Sequence, residues 1–193
     1  MSLLETVIEV TTLLTEAQVD FLIGGSLASS VWGQERTTHD ADIAVSLSES
    51  QLAVLERLIK WPYVIDSQSI RSRLGNLRPF DSGQILNGES LDKIDLFLLM
   101  VDPYSEAQMK RRRYIEVSPG CSLPFASPED TVIAKLRWFV LGNRVSDRQW
   151  NDIVQVLEVQ DGQLDVEYLS GWARHFDLEP LLDEALAQVE RGP

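Results

Sequence analysis

The chain has 193 residues and a formal net charge of −13, a length that allows one domain or a core with a small helical appendix. No apolar run approaches the length needed to span a bilayer, and the N-terminus lacks the cationic start of a signal peptide. The single cysteine, Cys121, excludes an intramolecular disulfide, and together these features predict a cytoplasmic protein with no membrane contact.

The first part of the chain alternates helical and extended patterns. Ser2 and Glu5 have the spacing of a capping box, and the apolar residues that follow recur at helical spacing, so we expect a helix that ends near Glu16. The stretch 19–45 then indicates a strand, a Gly24-Gly25 turn, a short helix and a second strand.

The next elements are less uniform in pattern. Ser48 begins a helix that Trp61-Pro62 ends. Residues 67–74 fit either a short helix ending at Gly75 or a loop near the site, and Arg71, Arg73 and Arg78 fit either surface positions or substrate contacts. Asn87-Gly88 predicts the turn of an antiparallel hairpin whose second strand, 91–101, carries Asp95.

The rest of the chain is mainly helical. Asp102-Pro103 begins a helix that runs to Arg112, and a short strand over 114–117 follows. Further helices are predicted over residues 131–141, 147–159, 166–176 and 180–190. The whole predicts an α/β (α+β) fold, a small mixed sheet flanked by helices, with a core over 1–126 and a C-terminal helical region over 127–193 packed on it.

Two features of residues 24–42 point to phosphate and metal chemistry. Gly24 and Gly25 let the backbone turn sharply and approach a ligand closely, and the helix start after them favours an anion. Asp40 and Asp42 are two apart on an extended segment, so both carboxylates project from one face. Two hard oxygen ligands near a phosphate cradle are typical of a Mg²⁺ site for a nucleotide.

This segment resembles the signature of the nucleotidyltransferase superfamily, a Gly-Gly/Ser turn followed by Asp-x-Asp, in the spacing of its AbiEii-like, toxin–antitoxin branch. The resemblance covers roughly residues 19–101, and a weaker match continues to about residue 157. That family also has a third carboxylate on a later strand, often as Lys-x-Asp, and Lys93-Ile94-Asp95 supplies it.

The resemblance implies a nucleotidyltransferase that uses Mg²⁺ or Mn²⁺ to move a nucleoside monophosphate from a nucleoside triphosphate to a hydroxyl. Asp40, Asp42 and Asp95 are its implied catalytic and metal-binding residues. The acceptor is an RNA, a partner protein or a small molecule. The implied nucleotide-binding residues are Gly24, Gly25, Ser26, Arg36, Lys93 and Lys135. A surface arginine is an open alternative for Arg36.

The helical part also resembles that branch, whose pattern continues with Ser-Pro-Glu-Asp, a Lys, and Arg/Lys-Asp-x-x-Asp. Residues 127–130 and Lys135 match, and Asp152 matches the last position. In the branch this Lys is implicated near the donor phosphates and this Asp near the active cleft. Gln149 stands where the first Asp is common, so it stays open whether the site is catalytically intact. An exposed helix lysine is the alternative for Lys135.

Other readings stay open beside this one. A catalytically weak domain of the same type would act as a regulatory or antitoxin-type partner, and an Asp-x-Asp glycosyltransferase would bind a nucleotide-sugar instead. The net charge predicts no strong non-specific nucleic-acid binding. The basic run Lys110–Arg113 fits either a solvated helix end or a docking patch. His39 is interpreted as a loop histidine.

Overall fold

A computed structural model describes residues 2–38 and 40–191, so His39 lies outside the described residues. The chain divides into two units. The first contains the residues up to Gly24 and those from Thr38 to Phe125, and the second contains residues 25–37 together with those from Ala126 onward. The division into domains after residue 126 stays a prediction; residues 25–37 group with the C-terminal helices here.

The first unit contains the sheet. Its strands are β1 (Asp20–Ile23), β2 (Asp40–Ser46), β3 (Tyr63–Ile65), β4 (Ser82–Asn87), β5 (Lys93–Leu98), β6 (Arg113–Ser118) and β7 (Cys121–Phe125). Its helices are α1 (Leu3–Glu16), α3 (Glu49–Leu58), α4 (Ser67–Leu74) and α5 (Pro103–Arg111). The second unit contains α2 (Gly25–Trp32), α6 (Pro128–Leu141), α7 (Asp147–Val159), α8 (Val166–His175) and α9 (Glu179–Arg191).

The sheet of the first unit is mixed, and its strand order is β3-β4-β5-β2-β1-β7-β6. The strand β2 runs parallel to β5, and β1 runs parallel to β7, while the other neighbours are antiparallel. The predicted fold class, a mixed sheet flanked by helices, is confirmed. No helix over residues 2–38 and 40–191 is long and apolar enough to cross a membrane.

Local signals predicted the starts of three helices correctly. The Ser2–Glu5 capping box is formed at the start of α1, and Ser48 and Ser127 cap α3 and α6 as predicted. The open choice over residues 67–74 is settled as a helix, with the Asp66 carboxylate accepting a hydrogen bond from the Ser69 N–H.

The strands were predicted less well. The hairpin of β4 and β5 is confirmed, but its second strand is shorter than the predicted 91–101. Leu91 has a φ of 62°, a left-handed conformation that belongs to the turn rather than to a strand. The strands β3 and β7 were not predicted from the sequence. The strand β3 has three residues, and β7 contains Pro124, which lowers strand propensity.

Burial alternates along the central strands. On β2, Ala41, Ile43 and Val45 are fully buried, as are Ile94 and Leu96 on β5. Because successive strand side chains point to opposite faces, the residues between them, including the three candidate carboxylates, project from the other face.

The helix α4 packs on the buried face through Ile70. Gly83 of β4 lies under this side chain, and a Cβ added at Gly83 would overlap Ile70. Ile70 is fully buried, so it has little room to move. The glycine is therefore required by close packing between α4 and the sheet.

We predict that Gly83→Ala destabilises the protein by about 1–3 kcal/mol because it overpacks this contact. Urea unfolding measures the loss of unfolding free energy caused by Gly83→Ala, in the wild type and in an Ile70→Ala background. The loss should be much smaller in the Ile70→Ala background, where the overlapping side chain is truncated. Gly171→Ala is the control, since an added Cβ there meets no atom of the described residues within 4 Å. It should stabilise α8 by roughly 0.5–1 kcal/mol. Equal losses from both glycine variants would contradict the packing argument.

Candidate functional site

The parallel pairing of β2 and β5 brings the candidate acids together. Asp42 lies opposite Asp95, and Asp40 lies opposite Lys93. The glycine turn lies beside Asp42, because the Gly24 N–H donates a hydrogen bond to the Asp42 carbonyl at 2.8 Å. The adjacency of Asp95 to the Asp40/Asp42 pair, which the family resemblance implied, is therefore present. We call Asp40, Asp42, Lys93 and Asp95 the acidic cluster.

Both carboxylate oxygens of Asp95 accept hydrogen bonds. Lys93 Nζ lies 2.9 Å from Asp95 Oδ2 and 3.9 Å from Asp40 Oδ1, and Gln84 Nε2 donates to Asp95 Oδ1 at 2.9 Å. The hydrogen bond to Asp95 raises the pKa of Lys93; partial burial opposes this, and the charges of Asp95, Asp40 and Asp42 add to the rise. Lys93 is therefore a stable ammonium at neutral pH.

A divalent ion would find suitable donors in part of this cluster. Asp40 and Asp42 offer hard oxygen ligands on one face, and Asp40 is 60% exposed. Mg²⁺ is usually held by one or two carboxylates together with substrate phosphates, so this pair fits one ion. Within residues 2–38 and 40–191, however, no three acidic, histidine or cysteine side chains are grouped closely enough to hold a metal ion. The assignment of Asp95 as a third metal ligand stays a prediction.

A second group of predicted residues meets inside the second unit. Asp152 of α7, with a side chain only 5% exposed, pairs with Lys135 Nζ at 2.6 Å. Arg36 Nε and Nη2 donate to the two oxygens of Asp152, each at 3.1 Å, and Arg36 Nη2 also donates to Ser26 Oγ. Ser26, Arg36, Lys135 and Asp152 are therefore one connected network, which we call the basic cluster.

The basic cluster carries two cations against one carboxylate. Burial alone raises the pKa of Asp152, but the hydrogen bonds and charges of Arg36 and Lys135 outweigh it and hold that pKa below its ordinary value. Lys135 is buried, so its interpretation as an exposed lysine is wrong. Ser26 lies in the first turn of α2, where free N–H groups favour anions, and the excess positive charge beside it suits a phosphate.

The conformation of Gly25 explains the second glycine of the turn. Its φ is 55°, in the left-handed region that other residues enter at a cost. Gly25 is also the first residue of α2. A glycine at this position therefore lets the chain pass directly from the end of β1 into a helix.

Four of the basic residues that the sequence analysis singled out have acidic partners within the first unit. Arg71 Nη2 pairs with Glu56 at 2.9 Å, and Arg73 Nε lies 3.9 Å from Asp81. In the run Lys110–Arg113, Lys110 pairs with Glu106 at 3.5 Å and Arg112 with Asp20 at 3.1 Å. For these four residues, the contacts favour a structural interpretation over a role in substrate binding.

Gln84 is the site residue that sequence reasoning missed. It contacts Asp95 because the two are register partners in the β4–β5 hairpin. The Asn87-Gly88 turn predicted the hairpin but not its register, because the connection extends from Gly88 to Asp92.

Comparison with known proteins identifies structures with a similar fold but no relative by sequence. No family model and no curated protein matches the chain. The antibiotic-resistance factor ANT(2'')-Ia, in a solution structure, matches with a TM-score of 0.54 and 14% identity over 95% of this chain and 97% of that one. A crystal structure of ANT(2'')-Ia with adenylyl-2''-tobramycin matches with a TM-score of 0.55 and 13% identity over 89% and 97%.

An antigenic nucleotidyltransferase-like protein from Paracoccidioides brasiliensis matches with a TM-score of 0.51 and 14% identity over 96% and 92% of the two chains. The chain therefore has a nucleotidyltransferase-like fold. The AbiEii-like branch stays a prediction.

We predict that Asp152→Asn destabilises the protein by about 3 kcal/mol at pH 7, because it leaves the buried Lys135 and the partly buried Arg36 without their carboxylate. The folded-state pKa of Asp152 lies below its unfolded value of about 3.9, so the ion pairs contribute fully above that pH. The difference between the wild type and Asp152→Asn should shrink as the pH falls below about 4. Urea unfolding at several pH values measures it.

Glu158→Gln, an exposed change on the same helix, is the control for Asp152→Asn and should alter stability by less than about 0.5 kcal/mol. A loss for Asp152→Asn that is as small as this control's would show that the basic cluster contributes nothing to stability.

Proposed function

We infer that this chain is a nucleotidyltransferase that moves a nucleoside monophosphate from a nucleoside triphosphate to a hydroxyl acceptor. The observation that carries this proposal is the row Gly24–Asp42–Asp95, in which a glycine turn and two acids are joined by backbone pairing. The nucleotidyltransferase-like fold supports it.

Each cluster, considered by itself, offers one kind of contact that this reaction needs. Asp40 and Asp42 would hold Mg²⁺ or Mn²⁺ with the triphosphate, and a bound ion would supply Lewis-acid neutralisation of phosphate charge. Ser26, Arg36 and Lys135 bring N–H donors and excess positive charge for phosphate oxygens, as phosphoryl-group transfer requires. Asp152 positions Arg36 and Lys135 rather than contacting the substrate.

The proposed reaction needs a base for the acceptor. The acceptor hydroxyl oxygen attacks the α-phosphorus, the bond from the α-phosphorus to the bridging oxygen breaks, and pyrophosphate leaves. The hydroxyl proton passes to Asp95 and then to solvent. Asp95 keeps acceptor capacity for this step, because a carboxylate has about four lone-pair sites and two of them are used by Lys93 and Gln84.

A small molecule is the acceptor class that the observations favour. The net charge of −13 repels an RNA backbone at long range and attracts a cation. One structural neighbour was solved with adenylyl-2''-tobramycin, a nucleotide joined to a small molecule. Membership of a toxin–antitoxin system and a cytoplasmic location stay predictions from the sequence.

We predict that Asp42→Asn weakens the binding of MgATP or MgGTP at least about 100-fold, which corresponds to roughly 3 kcal/mol, because it removes a charged ligand while keeping the side-chain shape. Isothermal titration calorimetry with both nucleotides, each with and without Mg²⁺, measures the loss. Circular dichroism and thermal unfolding should show an unchanged fold.

Asp183→Asn is the matched control, since it makes the same change in charge at an exposed position of α9 and should bind as the wild type does. Equal nucleotide affinity in Asp42→Asn and Asp183→Asn would remove the acidic cluster from the site.

A further inference from the structure

Lys93 places a positive charge among the carboxylates of the acidic cluster. It lies two residues before Asp95 on β5 and opposite Asp40 on β2, so its side chain shares their face of the sheet. Its ammonium lies 2.9 Å from Asp95 Oδ2 and 3.9 Å from Asp40 Oδ1. One protein cation therefore already links the third acid of the cluster to the first.

Gln84 fixes the other side of Asp95. Its Nε2 donates to Asp95 Oδ1 at 2.9 Å, and the two residues are register partners on β4 and β5. The Asp95 side chain is only 16% exposed. With a donor on each oxygen and little exposure, this carboxylate is held in one orientation by Lys93 and Gln84.

A second divalent ion would compete directly with this arrangement. To bind Asp95 it would have to approach within about 2.1 Å of a carboxylate oxygen, in the immediate neighbourhood of the Lys93 ammonium. Like charges that close, in a partly desolvated site, repel strongly. The absence of any three-carboxylate group among the described residues agrees with this.

We propose that Lys93 is a built-in cation that replaces a second metal ion, so that the acidic cluster takes one divalent ion, on Asp40 and Asp42, and that Gln84 holds Asp95 beside the Lys93 ammonium. The inference rests on the proposed nucleotide-binding function. It adds that the acidic cluster supplies two positive groups to a bound triphosphate, one divalent ion and the Lys93 ammonium.

The test counts bound ions. Electron paramagnetic resonance with Mn²⁺, in the presence of saturating α,β-methylene-ATP or α,β-methylene-GTP, reports bound Mn²⁺ from the loss of the free-ion signal. The wild type should bind one Mn²⁺ per bound nucleotide. Lys93→Met should bind two, because the freed Asp95 carboxylate becomes available, and the two ions should show spin–spin broadening.

Lys93→Gln removes the charge while keeping a polar side chain, and it should also bind two ions. It allows the same ion count if Lys93→Met does not fold. Lys110→Met is the control, because Lys110 is an exposed lysine paired with Glu106 on α5, and it should keep the wild-type count of one.

Two Mn²⁺ ions per nucleotide in the wild type, or one in both folded Lys93 variants, would overturn the inference and leave the proposed function standing. A wild-type protein that binds neither nucleotide analogue would overturn both. The two failures are therefore distinguishable in the same experiment.

Discussion

The parallel pairing of β2 with β5 is the constraint on which the rest of the site depends. Its register is set on the opposite face of the sheet, where Ile43 of β2 and Ile94 and Leu96 of β5 are fully buried. A slip by one residue would turn every side chain of one strand to the other face, exposing these residues and burying Asp95. The apolar core thus determines which carboxylates meet, and Asp42 lies opposite Asp95 as a consequence of packing.

The acidic cluster and the basic cluster have local charge imbalances of opposite sign. In the first, the Lys93 ammonium lies 2.9 Å from Asp95 and 3.9 Å from Asp40, and Asp42 adds a third carboxylate on the same face, so the named residues carry an excess of negative charge that attracts a cation. In the second, Arg36 and Lys135 share Asp152, which leaves an excess of positive charge that attracts an anion. Taken each by itself, the acidic cluster suits a metal ion and the basic cluster suits a phosphate.

Helix starts were predictable because their causes are local: Ser2 and Ser48 form capping boxes with residues three positions away, and Ser127 caps α6 before Pro128. The candidate acids were predictable from motif spacing, although their adjacency came only from the resemblance. The ion pairs were not predictable, since Arg36 and Asp152 are 116 residues apart, and Gln84 reaches Asp95 only through a strand register that no local pattern fixes. Such partners are chosen by tertiary packing.

The most direct test of the proposed function is an assay of nucleoside monophosphate transfer. The purified chain would be incubated with Mg²⁺ and each α-³²P-labelled nucleoside triphosphate, with the small-molecule, RNA and protein fractions of a cell extract offered separately. The account predicts label in the small-molecule fraction, with release of pyrophosphate, and none when Mg²⁺ is chelated. Label on RNA or protein would support the transfer reaction but contradict the proposal that the acceptor is a small molecule. A nucleotide that binds stably and is recovered intact from every fraction would contradict the enzymatic claim and support a non-catalytic binding partner.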